Sequence, residues 1–290
     1  MSKRKYKTEQ EEITHHEILK QACIYTYTVS NKDLPSGYQI EKTYDNNSGL
    51  YARVLKKDND VIIAIRGTEI GSGKDWKSNG VIMVGNPSQQ SKESIDICNE
   101  IKNKYPNAYI TVTGHSAGGG NGAYAAAKTG LPAVTFNPIG TANLVKAGEV
   151  IDDSQIINYC NPRDWTPSGN GKEHLGKCYE VDSKIGASKH EAHIMEHHRV
   201  EYMQNLRTRK EVTKEELTRK YKEYRNSLPD YMDTAIEAYK ETLGFGTNTK
   251  VPNVKSLNTC VGSYSVSGYT RSDGTKVGDY TRTCGAKHNN

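Results

Sequence analysis

The feature of this sequence that most constrains its fold is an alternating apolar segment that leads directly into a serine flanked by glycines. Residues 109–113 have the alternation of a buried β-strand, residues 114–118 read GHSAG, and an alanine-rich stretch continues to residue 128. A serine between glycines at a strand-to-helix junction occupies a strained turn that exposes its hydroxyl above the sheet. We therefore interpret Ser116 as a nucleophile. The amide of Ala117, at the predicted helix N-terminus, is suited to donate to an oxyanion.

Strands and helices alternate on both sides of this motif. A helix at residues 15–27 precedes three strands joined by turn-rich segments, at residues 38–44, 50–55 and 61–65. The predicted elements that follow are a helix at 91–104, strands at 109–113, 133–136 and 155–159, a helix at 118–128, a short helix near 144, a possible strand at 178–181 and a helix at 191–206. This alternation implies parallel pairing with right-handed crossovers. We expect an α/β fold with a mostly parallel central sheet, antiparallel N-terminal strands and helices on both faces.

The C-terminal third differs in character, and we divide the chain into three parts. Residues 1–210 form the predicted catalytic domain, residues 211–246 a charged amphipathic helical segment, and residues 247–290 a small β-rich tail. The helical segment has an apolar stripe broken near Pro229, which is typical of packing on the body or a partner; a lid or membrane-surface arm is the alternative. In the tail, Tyr-Thr-Arg occurs at 269–271 and 280–282, and Asp273 with Gly274 between them is a hairpin signal.

Three blocks of the sequence resemble the lipase class 3 group of α/β hydrolases, and in particular its bacterial lipase- and phospholipase-like branch. They are residues 61–68 with the following Asp75 and Trp76, residues 114–119, and residues 131–138. Ala117 stands where that family more often has Leu. The resemblance implies an α/β-hydrolase fold and a lipid ester as substrate, and it implies that Thr68 supplies the second oxyanion donor. The tail resembles a short Gly-Tyr-Thr-Arg element found in otherwise unrelated bacterial and phage proteins, which implies no chemistry.

A serine nucleophile needs a base, and the base needs an acid that holds its tautomer. In this fold the chain order is serine, acid, histidine. Asp164 follows the predicted strand at 155–159 in a loop that resembles the acid loop of the family, and we assign it as the acid. Asp182, after the next possible strand, is the reserve. Asp152 and Asp153 precede their strand, at the wrong end for the site, and are interpreted as caps.

The base is chosen among several histidines in one stretch of the chain. His193 is favoured, because residues 193–196 resemble the family's histidine at the opening of the last helix. His197 and His198 are the alternates, since the position of a following aromatic residue can be counted in more than one way. His115, beside the nucleophile, is interpreted as structural or substrate-lining because it cannot reach around its neighbour to activate Ser116.

The same histidines raise the question of a metal site. His193 and His197 are four residues apart and would share a helix face, but neither an HExxH pattern nor an obvious third ligand accompanies them. A phosphate-binding glycine loop is also missing, because the glycines at 118–120 follow a serine and open a helix. We therefore expect neither a metal nor a cofactor.

Composition and charge limit the kinds of partner that the protein is expected to have. The 290 residues carry 39 Lys and Arg against 34 Asp and Glu, a net charge of +5 that mildly favours anionic surfaces but is also ordinary. Apolar runs are shorter than the roughly 20 residues that span a bilayer, so any membrane contact is expected to be peripheral. Residues 1–12 lack the apolar segment of a secretory signal. We expect a protein that is cytoplasmic as synthesised, with export by a non-classical route open, and no nucleic-acid partner.

These observations predict a serine hydrolase that cleaves carboxylic esters of lipids, as a lipase or phospholipase, through an acyl-enzyme. Two alternatives stay open. One is an esterase that acts on soluble or polymeric esters, and the other is a non-catalytic binding protein that keeps the fold. Six scattered cysteines are expected to be reduced thiols, although Cys160 with Cys178, or Cys260 with Cys284, could pair after export.

Overall fold

A computed structural model describes the greater part of the chain. The described residues are 4–28, 30–67, 87–164, 173–184, 186, 197–204 and 206–228, together with four short strands beyond residue 262. Internal contacts divide the chain into two units, Met1–Gly246 and Thr247–Asn290. The finer boundary between residues 210 and 211 stays a prediction.

One eight-stranded sheet forms the centre of the first unit, and its strands lie side by side in chain order. The strands are β1 (Gln39–Asp45), β2 (Tyr51–Lys57), β3 (Asp60–Ile65), β4 (Tyr109–His115), β5 (Ala133–Phe136), β6 (Ile156–Cys160), β7 (Lys177–Glu180) and β8 (Lys210–Val212). Strands β3 to β7 are parallel, whereas β1, β2 and β8 join by antiparallel pairing. The mostly parallel sheet with antiparallel N-terminal strands is the predicted fold class, which is confirmed.

Helices cover both faces of this sheet. They are α1 (Glu9–Thr28), α2 (Gln89–Lys104), α3 (Ser116–Thr129) and α4 (Lys214–Asn226), with short 3-10 helices at Ala142–Leu144, Val200–Tyr202 and Leu206–Thr208. Strand β3 shows why both faces need cover. Ile63 and Ile65 enter the core shared with α2 and α3, while Ile62 enters the core shared with α1. Successive side chains point to opposite faces, so a continuous apolar run requires a layer on each side.

Helix α4 packs on the far end of the sheet. The side chains of Leu217 and Tyr221 lie against Cys160, Cys178 and Val212. Thr213 caps the helix, because its hydroxyl accepts a hydrogen bond from the amide of Glu216 at 3.1 Å. The described half of the amphipathic segment therefore packs on the body, as its stripe predicts. The predicted second helix, beyond residue 228, lies outside the described residues.

The predicted helix at 191–206 is wrong over its described part. His197 and His198 form a turn, and Val200–Tyr202 and Leu206–Thr208 are separate 3-10 helices. The reason is that side chains of the body bind the backbone carbonyls of His197 and His198, which a helix would need for its own hydrogen bonds. The turn therefore takes its shape from long-range contacts.

In the second unit, the described residues form two antiparallel strand pairs. Tyr269–Thr270 pairs with Lys276–Val277, and Ser263–Val266 pairs with Tyr280–Thr283. The first pair encloses the predicted hairpin turn at Asp273 and Gly274, which lies outside the described residues.

The described cysteines are all free and buried. Cys160 and Cys178 lie on neighbouring strands but two residues out of register, because Cys160 pairs with Glu180. Cys260 and Cys284 lie outside the described residues. Within the part of the chain that the structure describes, no helix combines the length and hydrophobicity needed to cross a membrane.

Candidate active site

Ser116 lies at the junction of β4 and α3 in a left-handed backbone conformation, with φ of 56°. Between residues 110 and 127 it is the only residue that is not buried. The flanking glycines make this turn possible. A Cβ atom on Gly114 would lie 2.5 Å from the carbonyl oxygen of Gly118, and one on Gly118 would lie 2.5 Å from the carbonyl oxygen of Arg66. The strained turn therefore presents one hydroxyl at the carboxyl end of β4, as the motif predicts.

Two backbone segments meet beside this hydroxyl. Ala117 is buried in the first turn of α3, where helix amides have no acceptor within the helix and the helix dipole is positive. From the other side, the turn after β3 comes so close that a Cβ atom on Gly67 would lie 3.1 Å from the Cβ atom of Ser116. Thr68, the predicted second oxyanion donor, follows directly but lies outside the described residues, as do Asp75 and Trp76.

An acid and an imidazole meet in the loops that follow the sheet. Oδ2 of Asp164 lies 2.9 Å from Nδ1 of His198. The Asp164 side chain is fully buried, whereas 17 % of the His198 side chain is exposed. A carboxylate only accepts, so Nδ1 of His198 carries the proton of this bond. In the neutral ring this tautomer leaves the lone pair on Nε2, the atom that a general base uses.

Of the other two candidate bases, the structure describes one, His197. His197 is fully buried, its Nδ1 lies 2.7 Å from Oγ of Ser183, and its ring packs edge-on against Tyr224 of α4. His193 lies outside the described residues. The structure therefore brings Asp164 together with His198, one of the two alternates.

Two asparagines that the sequence reasoning did not single out hold the His197–His198 turn. Asn137, which follows β5 with φ of 41°, donates from Nδ2 to the carbonyl oxygens of His197 at 3.2 Å and His198 at 2.9 Å. Its Oδ1 accepts from the amide of Asn161 at 2.8 Å, and Nδ2 of Asn161 also donates to His197 at 3.1 Å. Asn137 belongs to the third block of family resemblance, and its position directly after a buried strand was the available signal.

The buried His115 and the partly buried Tyr27 form a hydrogen-bonded pair beside the nucleophile. The Tyr27 hydroxyl lies 3.0 Å from Nδ1 of His115 and accepts a hydrogen bond from the Gly67 amide at 2.9 Å. Nε2 of His115 lies 2.8 Å from the carbonyl oxygen of His198. Burial, followed by the nearby His198, lowers the pKa of His115 to about 3, so this ring is neutral. The structural role expected for His115 thus has a definite set of partners, whereas the sequence contains no motif around Tyr27.

The remaining acids have other partners. Asp182 forms an ion pair with Arg163 at 2.5 Å, and its side chain is 59 % exposed. Asp152 caps a turn through the Ser154 amide at 3.1 Å, and Asp153 accepts from the amide of Gly176 at 2.9 Å. The capping role expected for these last two residues fits these contacts.

His174 is a further buried histidine near the site. Its Nε2 atom has no hydrogen-bond partner among the described residues. Burial, and then the charge of Lys214, lower its pKa to about 4, and Asp164 acts on it in the opposite direction. In the described part of the chain, no group of three or more His, Cys, Asp or Glu side chains is arranged to hold a metal ion.

The geometry gathers the carboxyl ends of β3, β4, β5 and β6 at one edge of the sheet. The Ser116 carbonyl accepts from the amide of Ile139 at 3.0 Å, and the Tyr159 carbonyl accepts from the amide of Asn137 at 2.8 Å, so the loops are tied to one another. A hydroxyl, a helix N-terminus and an Asp–His pair at one edge form the components of nucleophilic acyl transfer.

The sequence is similar to one family model and to one curated protein. Residues 24–155 match a family model described as a Tle-like phospholipase domain. An extracellular phospholipase A1 from Serratia liquefaciens is 33 % identical over 107 residues, which are 37 % of this chain and 33 % of that protein. The alignment thus spans about one third of the length of the curated relative. The family match includes Ser116 and Asn137 and ends before Asp164 and His198.

Several solved lipases are similar to part of this chain, with low identities and TM-scores below 0.5. A fungal lipase–inhibitor complex is 17 % identical, covering 61 % of this chain and 83 % of the lipase, with a TM-score of 0.45. Native Rhizomucor miehei lipase in its propeptide complex is 18 % identical over 64 % of this chain and 75 % of that one, with a TM-score of 0.44. Lip2 lipase from Yarrowia lipolytica is 16 % identical over 63 % and 82 %, with a TM-score of 0.41. The fold assignment rests on the sheet topology itself. The family match confirms the predicted resemblance to lipase- and phospholipase-like proteins over residues 24–155, and the described sheet has the predicted α/β-hydrolase topology.

Proposed function

We propose that the protein is a serine hydrolase that cleaves a carboxylic ester of a phospholipid, with Ser116 as nucleophile, His198 as general base and Asp164 as the acid that orients it. The single observation that carries the proposal is the 2.9 Å contact between the Asp164 carboxylate and Nδ1 of His198, at the sheet edge where the left-handed Ser116 lies. This contact favours His198 over His193 as the base.

The proposed reaction has two halves. Nε2 of His198 takes the proton of the Ser116 hydroxyl as the serine oxygen bonds to the ester carbonyl carbon, and the carbonyl oxygen becomes an oxyanion. The amide of Ala117 and a donor of Thr68 stabilise that charge. The oxyanion collapses, the C–O bond to the alcohol breaks, and His198 gives its proton to the departing lysophospholipid oxygen.

Water completes the cycle. A water oxygen attacks the acyl-enzyme carbonyl carbon while His198 takes a proton from that water. The second oxyanion collapses, the bond to Ser116 breaks and the serine oxygen regains its proton from His198. The products are a fatty acid and a lysophospholipid. No step requires a cofactor.

The choice of a phospholipid rests on the comparisons. Both the Tle-like family and the Serratia relative are described as phospholipases. The net charge of +5 is compatible with an anionic lipid surface. Peripheral contact with such a surface is part of the proposal.

Lipid vesicles provide the direct test. Wild-type protein and the Ser116→Ala variant are incubated with phosphatidylglycerol–phosphatidylethanolamine vesicles and, separately, with a triacylglycerol emulsion, and products are measured by mass spectrometry. We expect wild type to release fatty acid and lysophospholipid from the vesicles, and Ser116→Ala to lower that rate by about 10⁴-fold or more. Release from the emulsion alone would reassign the substrate to acylglycerols.

The two rival functions are separated with simpler probes. Equal cleavage of a short-chain nitrophenyl ester with and without micelles, and none of vesicles, would favour a soluble esterase. A wild-type protein that a fluorophosphonate probe does not label at Ser116 would favour a non-catalytic binding protein and overturn the proposal.

A further inference from the structure

The pair formed by the partly buried Tyr27 and the buried His115 joins three separate parts of the molecule. Tyr27 lies near the end of α1, Gly67 in the turn after β3, and His198 in the turn that contains the proposed base. His115 ends β4 and directly precedes Ser116. The three hydrogen bonds are 2.9 Å from Gly67 to Tyr27, 3.0 Å between Tyr27 and His115, and 2.8 Å between His115 and the His198 carbonyl.

The chemistry of the partners assigns every proton in this chain of bonds. A carbonyl oxygen only accepts, so Nε2 of His115 carries the hydrogen and donates to His198. The neutral ring then has its lone pair on Nδ1, so the Tyr27 hydroxyl donates to it. The Tyr27 oxygen is left to accept the Gly67 amide hydrogen. Each donor therefore meets one acceptor, and reversing the bond between Tyr27 and His115 in the neutral ring would leave Nε2 of the buried His115 without a hydrogen for the His198 carbonyl.

Each end of this series of hydrogen bonds binds a backbone group next to a proposed catalytic group. At one end, the Gly67 amide donates to Tyr27, which orients the peptide between Arg66 and Gly67, one residue before Thr68, the proposed oxyanion donor. At the other end, the His198 carbonyl is bound by His115 and by Nδ2 of Asn137 at 2.9 Å. A carbonyl bound from two directions restricts rotation of the backbone on which the imidazole is mounted. The His115 and His198 rings also lie against each other, with centroids 4.6 Å apart.

We propose that Tyr27 and His115 are positioning residues. They hold two turns at set places relative to Ser116, namely the turn after β3 at Gly67, which precedes the proposed oxyanion donor, and the His197–His198 turn, which contains the proposed base. Neither residue contacts the reacting atoms in this scheme. The inference rests on the proposed function, because it assigns these residues to the service of that site.

The expected effect is on turnover more than on substrate binding. Misplacement of a catalytic group by about 1 Å lowers rates by about 100-fold. The Tyr27→Phe variant removes the hydroxyl that joins the two turns and leaves His115 Nδ1 and the Gly67 amide without partners. We expect its kcat to fall by about 10- to 100-fold while KM changes by less than about threefold.

A second tyrosine–histidine pair, in which both residues are buried, supplies a control in the same molecule. The Tyr159 hydroxyl accepts from Nη1 of Arg209 at 2.6 Å and lies 2.8 Å from Nδ1 of His16. It also joins α1 to the sheet, and burial lowers the pKa of His16 to about 3. The hydroxyl that Tyr159→Phe removes makes the same kind of contact but lies on neither turn of the site, and the backbone carbonyl that accepts from the Asn137 amide stays in place. We expect it to lower the melting temperature without lowering kcat by more than about twofold per folded molecule.

A pair of variants at His115 separates positioning from simple packing. The amide of His115→Gln keeps a donor for the His198 carbonyl, whereas His115→Leu fills the space with no donor. We expect the Gln variant to recover at least about tenfold in kcat over the Leu variant at comparable melting temperature. A measurement on wild type alone covers the case in which these variants fail to fold. Nitrogen-15 NMR of labelled histidines should show one ring, assigned to His115, as the neutral Nε2–H tautomer at pH 7.

The outcomes distinguish this inference from the proposed function. If wild type reacts with a fluorophosphonate at Ser116 and Tyr27→Phe turns over as fast as Tyr159→Phe, the positioning role is overturned while the hydrolase stands. An Nδ1–H tautomer of His115 would overturn the proton assignment and the inference with it. If wild type does not react at Ser116, the proposed function falls and the positioning role falls with it.

Discussion

At the scale of single residues, the carbonyl oxygen of His198 is a focus of the candidate site. It accepts hydrogen bonds from Nε2 of His115 at 2.8 Å and from Nδ2 of Asn137 at 2.9 Å. The neighbouring His197 carbonyl is bound by Asn137 and Asn161. These bonds orient the turn so that the imidazole of His198 contacts Asp164 and the imidazole of His197 contacts Ser183. Two adjacent histidines thereby acquire different surroundings from one backbone arrangement.

This difference predicts different effects of one substitution at three histidines. Gln replaces His198, His197 and His193 in separate variants, and the rate of fluorophosphonate labelling at Ser116 is measured for each. We expect His198→Gln to lower the rate by about 10³-fold or more, because it removes the proposed base. His197→Gln and His193→Gln should each change it by less than about tenfold. Their melting temperatures serve as the control for folding, since His197 is fully buried. Loss of labelling in His193→Gln with retention in His198→Gln would restore the first assignment.

At the scale of elements, the highly charged helix α4 packs on the end of the central sheet through a buried apolar stripe. Its buried stripe closes the core formed with Cys160 and Cys178 at the end of the sheet. Cys160 ends β6, four residues before Asp164. On its other flank, Tyr224 of α4 contacts the ring of His197. The helix thus supports both the strand that leads to the proposed acid and the turn that contains the proposed base.

Removal of the central apolar side chain of α4 tests this packing. Leu217 is 1 % exposed, so Leu217→Ala should lower the free energy of unfolding by about 2–4 kcal/mol through lost burial and a residual cavity. Lys222, on the exposed side of the same helix, supplies the matched control. Its replacement by Ala should change stability by less than about 0.5 kcal/mol. Urea unfolding of the two variants compares them, and equal stabilities would mean that the helix does not pack as described.

At the scale of the whole molecule, buried neutral histidines couple stability to pH. Burial is the main cause that lowers the pKa of His16 to about 3, of His115 to about 3 and of His174 to about 4, from an ordinary value of 6.5. In the unfolded chain these rings take up protons as the pH falls through 6.5, whereas in the folded chain they stay neutral until much lower pH. The unfolded state therefore binds more protons in this window, and the stability is full above pH 6.5 and decreases below it.

The expected result is a steady loss of stability on mild acidification. Each such histidine contributes at most about 1.4 kcal/mol per pH unit below its unfolded pKa. Urea unfolding at several values between pH 7.5 and pH 5 should show the free energy of unfolding falling with pH. The His16→Leu variant, which has one of these rings fewer, should show a shallower slope. A free energy of unfolding that is constant over this range would contradict the prediction.

The sequence by itself determined the features whose causes are local or periodic. A glycine-flanked serine after an alternating strand has few backbone conformations available, so the turn at Ser116 follows from its neighbours. The continuous apolar run of β3 requires cover on both faces, and the alternation of elements then implies parallel strands. The apolar stripe of α4 likewise specifies a packed helix, although not the surface that it covers.

Only the tertiary structure decided which histidine lies against Asp164. The choice depends on Asn137, Asn161 and His115, which come from three different strand ends and bind carbonyls that local helical spacing would have used. The sequence alone did not indicate the contacts of Tyr27 either, because its partners are 40 and 88 residues away along the chain. Spacing within a short stretch reports which side chains share a face, whereas hydrogen bonds between distant loops set the direction in which a turn presents them.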